Sequence, residues 1–182
     1  IVIWTTTPWT MPGNRAVAYG TDISYRIVEV VDPNEGSLCE KDDILVIADD
    51  LADDVIEAIG AGGTALRASL MGSEMAGTVT AHPMAGHGYD HDVPLLAGRH
   101  VTTDQGTGFV HIAPGHGVED FELAHLEHGI AVPDTVSESG QIMAHLPIFG
   151  GMHVLRDNQK IADLIALHKG VVGIGKLVHS YP

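Results

Sequence analysis

Two short stretches concentrate residue types that can do chemistry. The first is Trp4-Thr5-Thr6-Thr7-Pro8-Trp9-Thr10-Met11-Pro12-Gly13-Asn14. Successive threonines in an extended chain put hydroxyls on both faces. Each hydroxyl donates and accepts, so the group can hold a water or a sugar hydroxyl without adding charge. Threonine is also ordinary strand material, and Trp9 and Asn14 add an aromatic surface and an amide beside it. The second stretch is Gly106-Thr107-Gly108-Phe109-Val110-His111-Ile112-Ala113-Pro114-Gly115-His116-Gly117-Val118-Glu119-Asp120. Gly106 and Gly108 let backbone approach a ligand closely, although the third glycine of a dinucleotide fingerprint is missing. Strand alternation puts Phe109, His111 and Ala113 on one face. Pro114–Gly117 turns the chain into a helix, so His111 and Asp120 can converge on one pocket. Taken singly, each also has a plain structural use, as a core histidine and as an acid at the positive end of a helix.

Other chemical signals are weaker. Gly170-Val171-Val172-Gly173-Ile174-Gly175-Lys176 has the glycine and lysine spacing of a phosphate loop, but Leu177 stands where a magnesium-binding hydroxyl belongs. His82-Pro83-Met84-Ala85-Gly86-His87-Gly88-Tyr89-Asp90-His91-Asp92 offers imidazoles and carboxylates that can ligate zinc. Its glycines equally suit a solvated loop, and 12 histidines in the chain make clustering by chance easy. Cys39 is flanked by Glu40, Asp42 and Asp43, which disfavour a thiolate nucleophile. No Gly-x-Ser-x-Gly elbow is present.

The elements that must position these residues read as many short strands and a few helices. Runs rich in Val, Ile and Thr predict strands over 1–6, 16–19, 25–31, 44–48, 77–81, 108–113 and 171–178. Helices are expected from Asp49/Asp50 to Ile59, from Val118 to about His128, and from an Asp157 cap to His168. Asp49 or Asp50 would cap the first; each is followed by a glycine stop. This pattern predicts an α+β fold, mainly β, with a barrel-like sheet core and about three helices. No apolar run approaches the ~20 residues of a membrane span. The 182 residues fit a single domain over 1–182, and 45% apolar residues with a mean hydropathy of +0.14 support a packed core. Lys+Arg is 9 against Asp+Glu 24, a net charge of −15, which excludes a generic phosphate-clamping protein. A single cysteine excludes a disulfide framework and fits a reducing compartment. The opening at Ile1 without Met and the close at Pro182 suggest a segment of a larger protein.

Together, the Trp-Thr-Thr-Thr-Pro-Trp-Thr run with Asn14 and the Gly-Thr-Gly-Phe-Val-His-Ile-Ala-Pro-Gly-His-Gly run with Asp120 resemble isoleucyl-tRNA synthetases. The likeness is to the editing domain inserted into the synthetase's Rossmann core, called connective peptide 1. It runs from Trp4 to His179-Ser180-Tyr181-Pro182. The related valyl and leucyl domains carry Thr-Thr-Arg-Pro followed by an acid, where this chain has Thr7, Pro8 and Trp9. Some positions depart from the family pattern: Gly13 for Ala, Met11 for Leu, Phe109 for Ala, Ile112 for Thr, and Glu119-Asp120-Phe121 for Asp-Asp-Tyr. Phe109, on the face of His111, bears most on pocket volume.

The resemblance implies an editing hydrolase. It would cleave valine from mischarged tRNA(Ile), with valyl-adenylate as an additional implied substrate, by way of a small pocket and a positioned water. Thr5, Thr6 and Thr7 would line the site, bind the terminal ribose and hold the water. Trp9 and Asn14 would belong to the same pocket, and His111 would shape it. Asp120 would pair with the substrate's α-ammonium, and the backbone at Gly106 and Gly108 would lie along the amino acid. The implied partners are the 3′ end of tRNA(Ile) and the catalytic core of the parent enzyme, with no membrane, in a cytoplasmic monomer. The implied domain has no metal or other cofactor of its own, the parent using ATP and magnesium. The class I signatures His-Ile-Gly-His and Lys-Met-Ser-Lys-Ser are absent, so aminoacylation is not expected. Two alternatives stay open: a metal-dependent hydrolase using the His82–Asp92 loop, and a non-catalytic module binding aminoacyl-adenosine.

Overall fold

A computed structural model describes residues 1–175. Two open sheets form its centre. The first has the order β5-β6-β1-β7, with β1 Ala16–Tyr19, β5 Val79–Ala81, β6 Asp92–Ala97 and β7 Phe109–Ile112. β1 runs parallel to β6 and antiparallel to β7, pairing Val17 with Leu95 on one side and with His111 on the other. The second sheet has the order β3-β2-β4, all antiparallel, with β2 Ser24–Asp32, β3 Ile44–Ala48 and β4 Gly63–Met71. The expected barrel is therefore not closed. The sheets meet at one corner, where the Ala48 N–H donates to the Thr107 carbonyl at 2.9 Å.

The core between them holds Val17, Tyr19, Tyr25, Ala48, Val93, Leu95 and Phe109. Tyr25 is fully buried; its hydroxyl donates to the Gly108 carbonyl at 2.8 Å and accepts from the Gly20 N–H at 3.0 Å. A buried hydroxyl satisfied on both sides thus ties β2 to the entry of β7, where an unpaired one would be costly. A Cβ at Gly108 would run into Ala48, and its φ of +80° disfavours any other residue. This glycine is fixed by sheet packing, a demand separate from the ligand approach expected of it.

Among the described residues, three helices flank the sheets. α1, Ala52–Ala58, follows a 3₁₀ turn at Asp49–Leu51. α2, Val118–Phe121, continues as a π-helical turn over Glu122–Glu127 and buries Leu123 and Ala124. α3, Asn158–Leu167, buries Ile161 and Ile165 in a cluster with Met11, Met84, Tyr89 and Phe149. That cluster seats the 3₁₀ turn Pro8–Gly13, whose Thr10–Gly13 are buried. The helix extents match expectation, but the acids do not cap them. Asp49 pairs with Arg26, and the Asp157 carboxylate accepts from the His153 N–H at 2.8 Å.

Residues 1–6 are not a strand. One hydrogen bond, from the Val2 N–H to Val46 O, ties them to β3. The strand expected at 171–178 is absent over Val171–Gly175, and the remainder, with the phosphate-loop residues Lys176 and Leu177, lies outside the described residues. β4 and β6 were not legible from strand signals. β4 is a mostly exposed edge with few β-branched residues. β6 contains Pro94, which faces Val79 of β5 just ahead of the residues that pair with β1. Among the described residues no helix is long and apolar enough to cross a membrane.

Candidate functional site

Pro8 and Pro12 cannot donate to a ladder, so the chain leaves its extended path at Thr7 and coils into the Pro8–Gly13 turn. This coil carries Thr10 and Asn14 against the face of β7 that presents His111. The Asn14 Nδ2–H lies 2.6 Å from His111 Nδ1 and 3.0 Å from the Ala16 carbonyl, which fixes the amide orientation because a carbonyl can only accept. His111 Nδ1 therefore accepts, and Nε2 carries the proton and donates to Thr10 Oγ1 at 3.1 Å. The Thr10 hydroxyl donates in turn to the Thr7 carbonyl at 2.8 Å. One directional chain thus runs from Asn14 through His111 and Thr10 to Thr7. Burial, aided by the nearby His82 and His116, lowers the His111 pKa to about 4, so the ring is neutral, as the chain requires.

The threonines divide their work. Thr5 Oγ1 accepts from the Thr7 N–H at 3.1 Å and lies 3.4 Å from Thr7 Oγ1, a local turn that leaves Thr6 exposed. Trp9 packs edge-on against His116 with ring centroids 5.0 Å apart, and His116 Nε2 lies 2.6 Å from Thr135 Oγ1. Gly13 lies beside His116 and Ala113; a Cβ there would meet His116 Cδ2 at 3.4 Å and Ala113 Cβ at 3.6 Å, so the alanine of the family pattern would fit in ordinary contact.

Asp120, half-buried in the first turn of α2, accepts the Ala113 N–H on Oδ2 at 2.8 Å. Burial raises its pKa, against the lowering by that hydrogen bond and by His100. A cleft of about 280 Å³ lies against β7, lined by Trp4, His100, Thr102, Gln105, Gly106, Gly108, Phe109 and Val110. Phe109 borders the cleft, but its ring sits in the inter-sheet core, 4.6 Å from the Tyr25 ring. It fills core volume more than it narrows a pocket beside His111.

The structure thus joins Thr7, Asn14 and His111, sets Trp9 beside them through His116, and puts Gly106 and Gly108 in the adjoining cleft. Among the described residues no hydrogen bond links the Thr5, Thr6 or Thr7 side chains to His111 or Asp120. Thr10, His116 and His100 were missed as site residues. Thr10 lay inside the first stretch, but its role depends on the coil that follows Pro8.

In the His82–Asp92 loop, His82 and His91 spend ring nitrogens on structure. His82 is buried; its Nε2–H donates to the Met11 carbonyl at 2.9 Å and its Nδ1 accepts from the Met84 N–H at 3.0 Å. His91 contacts Arg15 and the Asn14 carbonyl, while His87 packs at a tilt against His168 with ring centroids 4.1 Å apart. Among the described residues, no three His, Cys, Asp or Glu side chains are placed to hold a metal ion together.

No family model matches the chain. The isoleucine–tRNA ligase of Gluconobacter oxydans is 41% identical over 192 residues, that of Pelagibacter ubique 40% over 182, and that of Caulobacter vibrioides 42% over 201. Each alignment takes in 100% of this chain. The whole chain is homologous to a segment of isoleucine–tRNA ligase. It spans 20% of the length of these ligases. Among solved structures, the crystal structure of GlLeuRS-CP1 superposes with a TM-score of 0.68 over 98% of this chain and 82% of that one, at 16% identity. The likeness in fold bears out the expected mixed, mainly β class, and the ligase homology bears out the resemblance carried by the two stretches.

Proposed function

We propose that this chain is the editing domain of an isoleucine–tRNA ligase and hydrolyses the ester of valyl-tRNA(Ile). One observation carries the reading: in a chain homologous throughout to isoleucine–tRNA ligase, the threonine stretch and the Gly106–Asp120 stretch converge on a neutral, hydrogen-bonded His111. Isoleucine and valine differ by one methylene, worth only about 1–3 kcal/mol in an apolar pocket, and this pair is itself the standard example of that limit. A second, smaller site must supply the remaining discrimination.

In this mechanism the aminoacyl-adenosine end enters the cleft along Gly106 and Gly108. The Thr5–Thr7 hydroxyls hold the ribose and a water, and the Asp120 carboxylate pairs with the α-ammonium. The rigid ring of His111, locked on both nitrogens, walls the amino-acid pocket. Being neutral with its Nδ1 already accepting, it is not a free base. Positioning of water against an activated ester then supplies most of the rate. Valyl-adenylate is the second substrate of the same pocket. The domain works in the cytoplasm as a monomer, beside the catalytic core of its ligase, with no cofactor of its own.

The test is deacylation of valyl-tRNA(Ile) and isoleucyl-tRNA(Ile) side by side, with and without a chelator. Preferential, chelator-insensitive release of valine is expected. Equal inertness of a folded chain toward both would sink the proposal, and loss of activity on chelation would favour a metal-dependent hydrolase. Tight binding of a valyl-adenosine analogue without turnover would leave a binding module instead.

A further inference from the structure

The turn after β7 carries an imidazole whose contacts the mechanism above does not use. The His116 backbone is anchored, its N–H donating to the Ala113 carbonyl at 2.9 Å. Its side chain reaches two other parts of the chain. On one side Trp9 meets it with ring centroids 5.0 Å apart and planes at 80°. A Cβ at Gly13 of the same coil would lie 3.4 Å from His116 Cδ2. On the other side Nε2 lies 2.6 Å from the hydroxyl of Thr135, a residue only 3% exposed. Thr135 is itself fixed. Its carbonyl accepts the Met143 N–H at 2.9 Å, and the next residue, Val136, bridges Ile142, which is buried in the cluster with Ile161 and Ile165 of α3. His116 therefore joins three segments distant in sequence: the coil after Pro8, the turn after β7 and residues 135–143. Burial lowers its pKa from the ordinary histidine value, so the ring is neutral at pH 7 and its bond to a hydroxyl needs no counter-charge. Trp9 is held by packing, edge-on to His116 and against the cluster of Met11, Met84 and Phe149. An edge-to-face contact of this kind sets the tilt of an indole.

We propose that His116, bridged to Thr135, is a positioning residue for Trp9, and that through this contact it sets the width of the amino-acid pocket and so the choice between valine and isoleucine. This deepens the deacylase reading and rests on it, with Trp9 as a wall of that pocket. The demand on such a wall is steep. The two side chains differ by one methylene, so a ring free to tilt by the width of a methyl group forfeits the discrimination. The Thr135 hydroxyl holds the imidazole, and the imidazole holds the indole.

The test compares wild type, H116L, T135V and T135S on valyl-tRNA(Ile) and isoleucyl-tRNA(Ile), with Tm measured for each. T135V exchanges the hydroxyl for a methyl of similar size and leaves the imidazole in place; T135S keeps the hydroxyl. The ratio of kcat/KM for the valyl over the isoleucyl substrate is expected to fall about ten-fold in H116L and T135V, through faster cleavage of isoleucine. T135S should stay within about three-fold of wild type. The second readout is the fluorescence of Trp9, which W4F leaves as the one tryptophan of the chain. In that background H116L and T135V should shift the emission to the red and open the indole to acrylamide quenching, and T135S should do neither. A structural role alone would slow both substrates together with a fall in Tm and leave the ratio unchanged, and that result overturns the proposal. So does a lower ratio with unchanged Trp9 emission, because His116 would then act without the indole. Should H116L fail to fold, T135V carries both readouts. An inert wild type sinks the deacylase reading instead, and Trp9 emission still judges the clamp: no change in T135V overturns it.

Discussion

His111 is held by an amide on one nitrogen and a hydroxyl on the other, and both partners come from the coil after Pro8. N14A should therefore free the ring and lower deacylation about ten-fold or more, while H111Q, which cannot reproduce both contacts, should do the same; single-turnover rates decide this. Asp120 needs a finer test than alanine. D120A loses the charge and also leaves the buried Ala113 N–H unpaired, at a cost of about 1–3 kcal/mol. D120N keeps an acceptor for that N–H, so it should fold with nearly wild-type Tm and still lose deacylation by about 10–100-fold. Wild-type activity in D120N would remove the carboxylate from the site. The buried histidines make a pH prediction. His82 has a pKa lowered to about 4 by burial, from an ordinary 6.5. The unfolded chain then binds more protons between these values, so stability is complete above about pH 6.5 and is lost as pH falls toward 4, by roughly 3 kcal/mol for this group. Denaturant melts across that window should show the slope, reduced in H82Q.

At the scale of elements, the register of the two sheets hangs on the corner where β3 meets the entry to β7. Tyr25 spans it with one hydroxyl, and Gly108 permits the approach of Ala48. Y25F should lower stability by about 1–3 kcal/mol because two buried backbone groups lose their shared partner. G108A should cost about 3 kcal/mol or more, since overpacking and a left-handed backbone strain add. Its effect on deacylation should follow the loss of fold, whereas at Gly106, where a Cβ would meet nothing within 4 Å, stability is governed by the φ of +83° alone. Chemical denaturation of both alanine variants separates these causes. The site is also seated from behind: α3 packs on the Pro8–Gly13 turn through Ile161 and Ile165, so truncation of either side chain should loosen Thr10 and Asn14 without touching them.

Across the whole molecule the dominant fact is charge. With −15 spread over 182 residues, the chain lacks the cationic footprint that duplex or folded RNA demands. On the proposed editing reading, a substrate presented as a single-stranded 3′ end would need only the cleft, and the remaining phosphate contacts would fall to the rest of the ligase. The isolated chain should bind tRNA(Ile) weakly, with a shallow dependence of log K on log salt, as measured by fluorescence anisotropy. Submicromolar binding at about 0.15 M salt would contradict this account of the charge.

Much of this was legible in the sequence. Apolar periodicity, first-turn acids and glycine stops located the three helices found among the described residues, and β-branched runs located β1, β2, β3, β5 and β7. The two chemical stretches announced themselves by composition. Where the pattern was ambiguous, tertiary contacts made the choice. The Ile1–Ile3 run had strand propensity but found one backbone partner; β4 and β6 had little propensity yet were completed by their neighbours. Hydrogen-bond direction was likewise beyond the sequence. That His111 is neutral and locked, that Phe109 turns into the core, and that His82 serves the Met11 carbonyl all depend on residues far along the chain meeting in space. Local pattern determines which residues are available for chemistry; only the packed three-dimensional arrangement decides which of their polar atoms are already spent.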